Sequence, residues 1–281
     1  MNGLFGNYDS QRRSVFRGII QSFVLSFPLS EVFVMRRRDF VFAAPVLAVV
    51  GCKTMDTGGG LSAAQDLVKA ASLSDAEVAG YAEQFIAFED KRAQVLGPSN
   101  KYSSRLVKLT SGFQSFDGLK LDFKAYDSKE VNAFACANGS IRIYSGLMDA
   151  MTDDEIRYVI GHEIGHVKLG HTKARMQTAL ATSAAQKGAA ASGNAAVAKL
   201  ADSQLGELVI KVIRAQHSQS NENAADDYAV QQFLTKTGSN KKGAVTALEK
   251  LAALSGGGGG GWTSTHPAPK ERAERMRKIV A

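Results

Sequence analysis

The stretch Val159–His171 reads VIGHEIGHVKLGH. It holds three of the chain's five histidines, with one glutamate between the first two. Just ahead of it, Thr152–Glu155 reads TDDE, a capping box, so the stretch rides on a helix that opens near Asp153. On such a helix His162 and His166 share one face, one turn apart, with about 5–6 Å between their Cβ atoms. That separation suits one zinc ion at about 2.0–2.1 Å from each imidazole nitrogen. Glu163 points about 100° further round the axis. It can stand beside a metal without binding it, as a general base must to take a proton from a water there. The competing reading is a pair of ordinary helix-face histidines, and a third ligand decides between the two.

His171 is a poor third ligand. It lies five residues past His166, which on a straight helix swings it about 140° away. A better source is SNENAADDYAV, where Glu222 and Asp226 are four apart and share a helix face. One carboxylate there can bind the metal, and the other can accept the Nδ1–H of a ligand histidine and fix its tautomer. The alternative is an acidic first turn that stabilises its own helix. His266, in STHPAPKER, follows a glycine run and can fold over the cleft. It would donate to an oxyanion or cap the metal, or else be a plain loop histidine. His217 carries no signal and reads as structural.

The 281 residues are 44% hydrophobic, enough for one domain with a real core. The formal charge is +7. The first 51 residues account for much of it, and without them 28 basic and 24 acidic residues leave +4. No basic stripe interleaved with aromatics exists, which argues against a nucleic-acid partner. Arg36–Arg38 precede an apolar run, Phe40–Val50, and then Gly51 and Cys52. A charged start, a short apolar centre and small residues form the plan of a secretory signal. The run is about 11 residues, short of the roughly 20 a helix needs to span a bilayer. VVGC resembles a lipobox, which makes Cys52 the expected lipidation site, and RRDF also resembles a twin-arginine export signal. Residues 1–51 are thus expected to form a signal region, of which 1–34 read as a start-site artefact or removed extension. Residues 52–72 would be the lipid attachment and tether, and 73–281 the folded domain.

Within that domain Ser74–Glu77 (SDAE) caps a helix reaching about Gln94, and about Asn100–Phe113 form another. LKLDFKAY alternates apolar and polar residues, while VNAFACA and IRIYSG flank the turn sequence ANGS as a hairpin. A sheet of three or four strands is expected here. Residues 178–203 predict one or two helices with a small-residue face. Ser255–Gly261 is a flexible loop ahead of a short charged helix.

The paired-histidine helix followed by Glu222–x–x–Ala225–Asp226 resembles the gluzincin metallopeptidases of the HtpX and CAAX prenyl protease family. The stretch from VNAFACANGS through HVKLGH is similar to the lipid-anchored, LoiP-type branch, and THPAPKER resembles the family's Thr-His-Pro segment ending at Arg272. The likeness runs from about Ser72 to Ile279. It implies one zinc ion per chain held by His162, His166 and Glu222, with Glu163 as base and Asp226 as the partner of a ligand histidine. It also implies that Asn132, Ala133 and Phe134 lie on an edge strand bordering the cleft. An extended substrate can add to such a strand through backbone hydrogen bonds, so unfolded polypeptides are the expected partners. One departure is Gln219, where the family usually has Arg.

The expectation is a mainly helical α+β metallopeptidase domain that acts as a zinc endopeptidase on unfolded or damaged envelope proteins. Its expected location is the outer membrane, as a lipoprotein facing the periplasm. The competing functions are a chaperone-like binding module on the same fold and a zinc aminopeptidase.

Overall fold

A computed structural model of the chain describes residues 73–187, 200–255 and 261–281. The expected signal region, Cys52 and the tether lie outside the described residues, as do the middle of the Ala-rich segment and most of the glycine run. Among the described residues no helix is long and apolar enough to cross a membrane.

Helix α1 (Asp75–Arg92) opens on the predicted capping box. The Ser74 hydroxyl accepts from the Glu77 amide, and the Glu77 carboxylate accepts from the Ser74 amide. Such a cap contributes about 1 kcal/mol. Helix α2 (Lys101–Thr110) follows, capped by Asn100. LKLDFKAY is interrupted after two residues. Strand β2 (Leu119–Lys120) pairs with β1 (Ser115–Phe116), while β3 (Asp122–Tyr126) joins the main sheet. The predicted hairpin forms from β4 (Ala133–Ala135) and β5 (Ser140–Tyr144). Strand order is β3-β5-β4, with β3 parallel to β5 and β4 at an edge.

The sheet divides two cores, because successive side chains on a strand point to opposite faces. Ala125, Ala133, Ala135, Ile141 and Ile143 face the larger core with the later helices. Tyr126, Phe134, Cys136 and Tyr144 face a smaller one, together with Met176, Leu208 and Val212 from later in the chain and the buried face of α1. Arg142 on the central strand is buried and donates to both carboxylate oxygens of Asp90 on α1, at 2.7 and 3.0 Å. Lys124 and the Tyr126 hydroxyl bind the same carboxylate. Burial pushes the Asp90 pKa up, but these partners outweigh it and hold it below the ordinary value. Its contribution is therefore complete at neutral pH and is lost as pH falls through the depressed value. Asp90→Asn is expected to cost about 3 kcal/mol at pH 7 by urea unfolding, since it leaves the buried Arg142 with only the more exposed Asp122 as its anionic partner. The gap from wild type should close in acid, where both side chains are neutral.

After α3 (Ser145–Ala150) comes the central helix α4 (Asp153–Lys168), opened by the Thr152–Glu155 capping box. Two glycines one turn apart let other elements approach it. A Cβ at Gly161 would lie 2.8 Å from the Phe233 ring, and one at Gly165 would lie 3.1 Å from the Ala225 carbonyl oxygen. Helix α5 (His171–Lys187) starts after a break at Gly170, whose φ of +75° glycine adopts without strain. Then follow α6 (Asp202–Arg214), α7 (Gln219–Tyr228) running into a π-helical turn (Ala229–Leu234), α8 (Lys242–Ser255), the short α9 (Trp262–Thr265) and α10 (Pro269–Val280).

Candidate metal centre

Helix α4 carries His162, Glu163 and His166, α7 carries Glu222 and Asp226, and the turn after α9 carries His266. All six are buried. The small faces of Gly161 and Gly165 bring α7 and its π-helical extension onto α4, and so bring the carboxylates to the histidines. One donor atom from each of His162, His166, Glu222 and His266 lies within 4.8 Å of the others. The Nε2 atoms of His162 and His166 are 2.9 Å apart, and Glu222 oxygens lie 3.5 and 3.3 Å from them. Nδ1 of His266 faces the same point, 3.1 Å from Glu222 Oε1. Two imidazole nitrogens that close either share a proton or turn their lone pairs to a common cation. Three nitrogens and a carboxylate oxygen form a donor set that suits zinc.

The surroundings fix these donors. The Nδ1–H of His162 donates to Asp226 Oδ1 at 2.8 Å, which leaves Nε2 free to bind a metal. Tyr158 donates to the same oxygen at 2.6 Å. Arg272 on α10 donates to both Asp226 oxygens, at 2.9 and 2.6 Å, and also to Glu222. Burial pushes the His162 pKa down, but Glu222 and Asp226 outweigh it and hold it up at about 9. Burial and the neighbouring imidazoles keep His166 well below its ordinary value. Glu222 and Asp226 remain ionised despite burial, Glu222 through His266 and His162 and Asp226 through Arg272 and His162.

Glu163 is adjacent to this cluster and outside it. The Trp262 indole N–H donates to its Oε1 at 3.1 Å, and His266 Nε2 lies 3.5 Å from the same oxygen. The indole stacks on the His266 ring, with centroids 4.3 Å apart.

His171 returns to the site although a straight helix would carry it away. The helix breaks at Gly170, and Nδ1 of His171 reaches Nδ1 of His166 at 3.0 Å. His217 also belongs to the centre, since its ring stacks on His166 at 3.8 Å. Neither is in the four-donor cluster. Trp262, Tyr158 and the role of Arg272 are likewise additions from the fold. Ala133 lies on edge strand β4, Asn132 stands one residue before it, and the Phe134 ring packs into the smaller core.

A model of peptidase family M48 matches residues 103–280. The chain belongs to peptidase family M48. It is 42% identical over 245 residues to the metalloprotease LoiP of Escherichia coli (strain K12), covering 86% of this chain and 96% of LoiP. It is 38% identical over 243 residues to the metalloprotease YcaL of the same organism, covering 85% of this chain and 95% of YcaL. Protease HtpX of Alkalilimnicola ehrlichii is 32% identical over 129 residues, 43% of either chain. This M48 member is a metalloprotease, and its mainly helical α+β architecture agrees with that family. Two histidines of α4, a glutamate of α7 and a fourth histidine form its candidate metal-binding cluster.

Proposed function

We propose that the chain is a zinc-dependent endopeptidase with His162, His166 and Glu222 as its permanent metal ligands. The observation that carries this reading is the position of Glu163, buried and oriented beside the four-donor cluster without belonging to it. Zinc at this centre would polarise the scissile carbonyl and acidify water. Glu163 takes the water's proton on a carboxylate oxygen and passes it to the leaving amine. Trp262 holds that oxygen in place through its indole N–H. Asp226 keeps His162 in the tautomer that presents Nε2, and Arg272 balances the two buried carboxylates.

The substrate would lie along β4. The Cys136 amide bonds to Ser140 and the Tyr144 amide to Asn132, so Phe134 between them faces β5. By the alternation of an antiparallel ladder, the peptide groups of Ala133 and Ala135 point away from β5, and the Ala133 amide donates to the Asn132 side-chain oxygen, which an incoming strand would replace. Substrate recognition would use these backbone groups, with Phe134 fixing the strand from behind. Such a site accepts an extended segment with broad side-chain tolerance. Unfolded or damaged envelope polypeptides fit that requirement, with Cys52 as the lipid anchor to the outer membrane.

The test is cleavage of an internally quenched peptide blocked at both ends. Cleavage should cease with a chelator and return when zinc is added. A protein that cuts only peptides with a free amino terminus would be an aminopeptidase, and one that binds unfolded protein without cutting would be a binding module.

His266 supplies the fourth donor of the cluster, so a substrate carbonyl that reaches the metal would have to displace it. His266→Ala is expected to keep its metal on the three remaining donors and to raise kcat/KM severalfold. A fall of about 10²-fold at unchanged metal content would instead assign His266 to the oxyanion.

A further inference from the structure

Beside the metal centre lies a cavity of about 560 Å³ between α5 and α6. His171 and His217 line it and also touch His166, so they form a wall shared with the centre. Arg175 and Lys211 line it too, with Gln216 and Asn221, and among the described residues no Asp or Glu does. Ala174, Thr178 and Thr182 recur at four-residue spacing along α5 and leave it open.

Arg175 gives this cavity its chemistry. Its Nη1 donates to the Val212 carbonyl at 3.2 Å. Nε and Nη2 are shielded from solvent and have no hydrogen-bond partner among the described residues. These two atoms form the edge of a guanidinium that matches a carboxylate bidentately. Burial lowers the Arg175 pKa to about 10, while Glu163 and Glu222 act against that shift. The cation is thus retained at neutral pH with its best-matched edge unpaired, and an unpaired shielded guanidinium gains most from an anionic partner.

We propose that this cavity is a substrate subsite for a carboxylate next to the bond being cut, with Arg175 as its specificity-determining residue. The carboxylate belongs to a Glu or Asp side chain or to the substrate's own C-terminus. A small adjustment of the Arg175 side chain presents its fork to the occupant. The inference rests on the peptidase reading above and adds a preference to it.

The test uses internally quenched peptides blocked at both ends, with Glu, Gln, Lys or Leu placed in turn at each position flanking the cut. A second pair differs only in a free or amidated C-terminus. Wild type is expected to favour Glu over Gln at one position by about tenfold or more in kcat/KM, the range of a charge-assisted bidentate contact. If the free terminus is the occupant, amidation removes the preference instead. Arg175→Gln should bring the ratio near one, and Arg175→Glu should favour Lys. Should those variants not fold, Arg175→Lys, which keeps the charge and loses the fork, should lower the ratio. A wild-type ratio near one in both peptide series overturns the proposal, as does an undiminished ratio in a folded Arg175 variant.

The same peptides are titrated onto the Glu163→Gln protein by fluorescence anisotropy. Cleavage indifferent to the carboxylate overturns this inference and keeps the peptidase reading. Carboxylate-dependent binding without any cleavage by wild type does the reverse, and neither signal overturns both.

Discussion

Glu163→Gln protein should load zinc as well as wild type and cleave a blocked quenched peptide roughly 10²–10⁴-fold more slowly, the usual contribution of a positioned base. The substitution is close to isosteric, and the amide oxygen can still accept from the Trp262 indole. Glu163 is absent from the four-donor cluster, so metal content should not move. What disappears is a carboxylate able to carry a proton from water to the leaving amine. Metal by elemental analysis and turnover on the same sample separate the two effects. Activity within about tenfold of wild type would remove Glu163 from the chemistry, and loss of metal would make it a ligand.

Arg272→Met should have the second largest effect, on stability and metal together. Arg272, Glu222 and Asp226 are all buried, and Arg272 is the cation bound to both carboxylates. Removing one member of a buried ion-pair network leaves uncompensated charge, at a cost of about 3–5 kcal/mol. Loss of an outer partner commonly weakens a metal site by 10–100-fold. Thermal unfolding and zinc titration should therefore both shift. Arg272→Lys restores the charge and one donor direction, so it should recover part of the stability and less of the affinity. An Arg272→Met protein with unchanged melting temperature and zinc affinity would contradict the described role.

The local sequence made much of this arrangement legible. Ser74 and Thr152 announce their helices through hydrogen bonds within three residues, and the β4–β5 hairpin is encoded by a turn between alternating runs. His162, Glu163 and His166 reveal themselves because 3.6 residues per turn converts their spacing into geometry. The placements that the sequence does not encode depend on contacts across the chain. His171 was placed by extending a helix that in fact stops at Gly170. His217 is stacked against His166, yet nothing in its own neighbourhood in the sequence marks it. Arg272 meets Asp226 across 46 residues of chain, and no periodicity encodes such a meeting. One overlooked signal was local. Gly161 and Gly165 alternate with the ligand histidines on α4, and two glycines at that spacing on a buried helix announce a close neighbour. The division of LKLDFKAY between two ladders had no such mark, because both halves keep the strand alternation.

The chain contains one tryptophan, and it is Trp262. Its ring lies flat against His266 while its nitrogen engages Glu163. Emission excited at a wavelength that spares the seven tyrosines therefore originates within this pocket. Any event that lifts His266 from its seat changes what the indole touches. The molecule carries its own optical gauge, so occupancy can be followed in real time without attaching a dye.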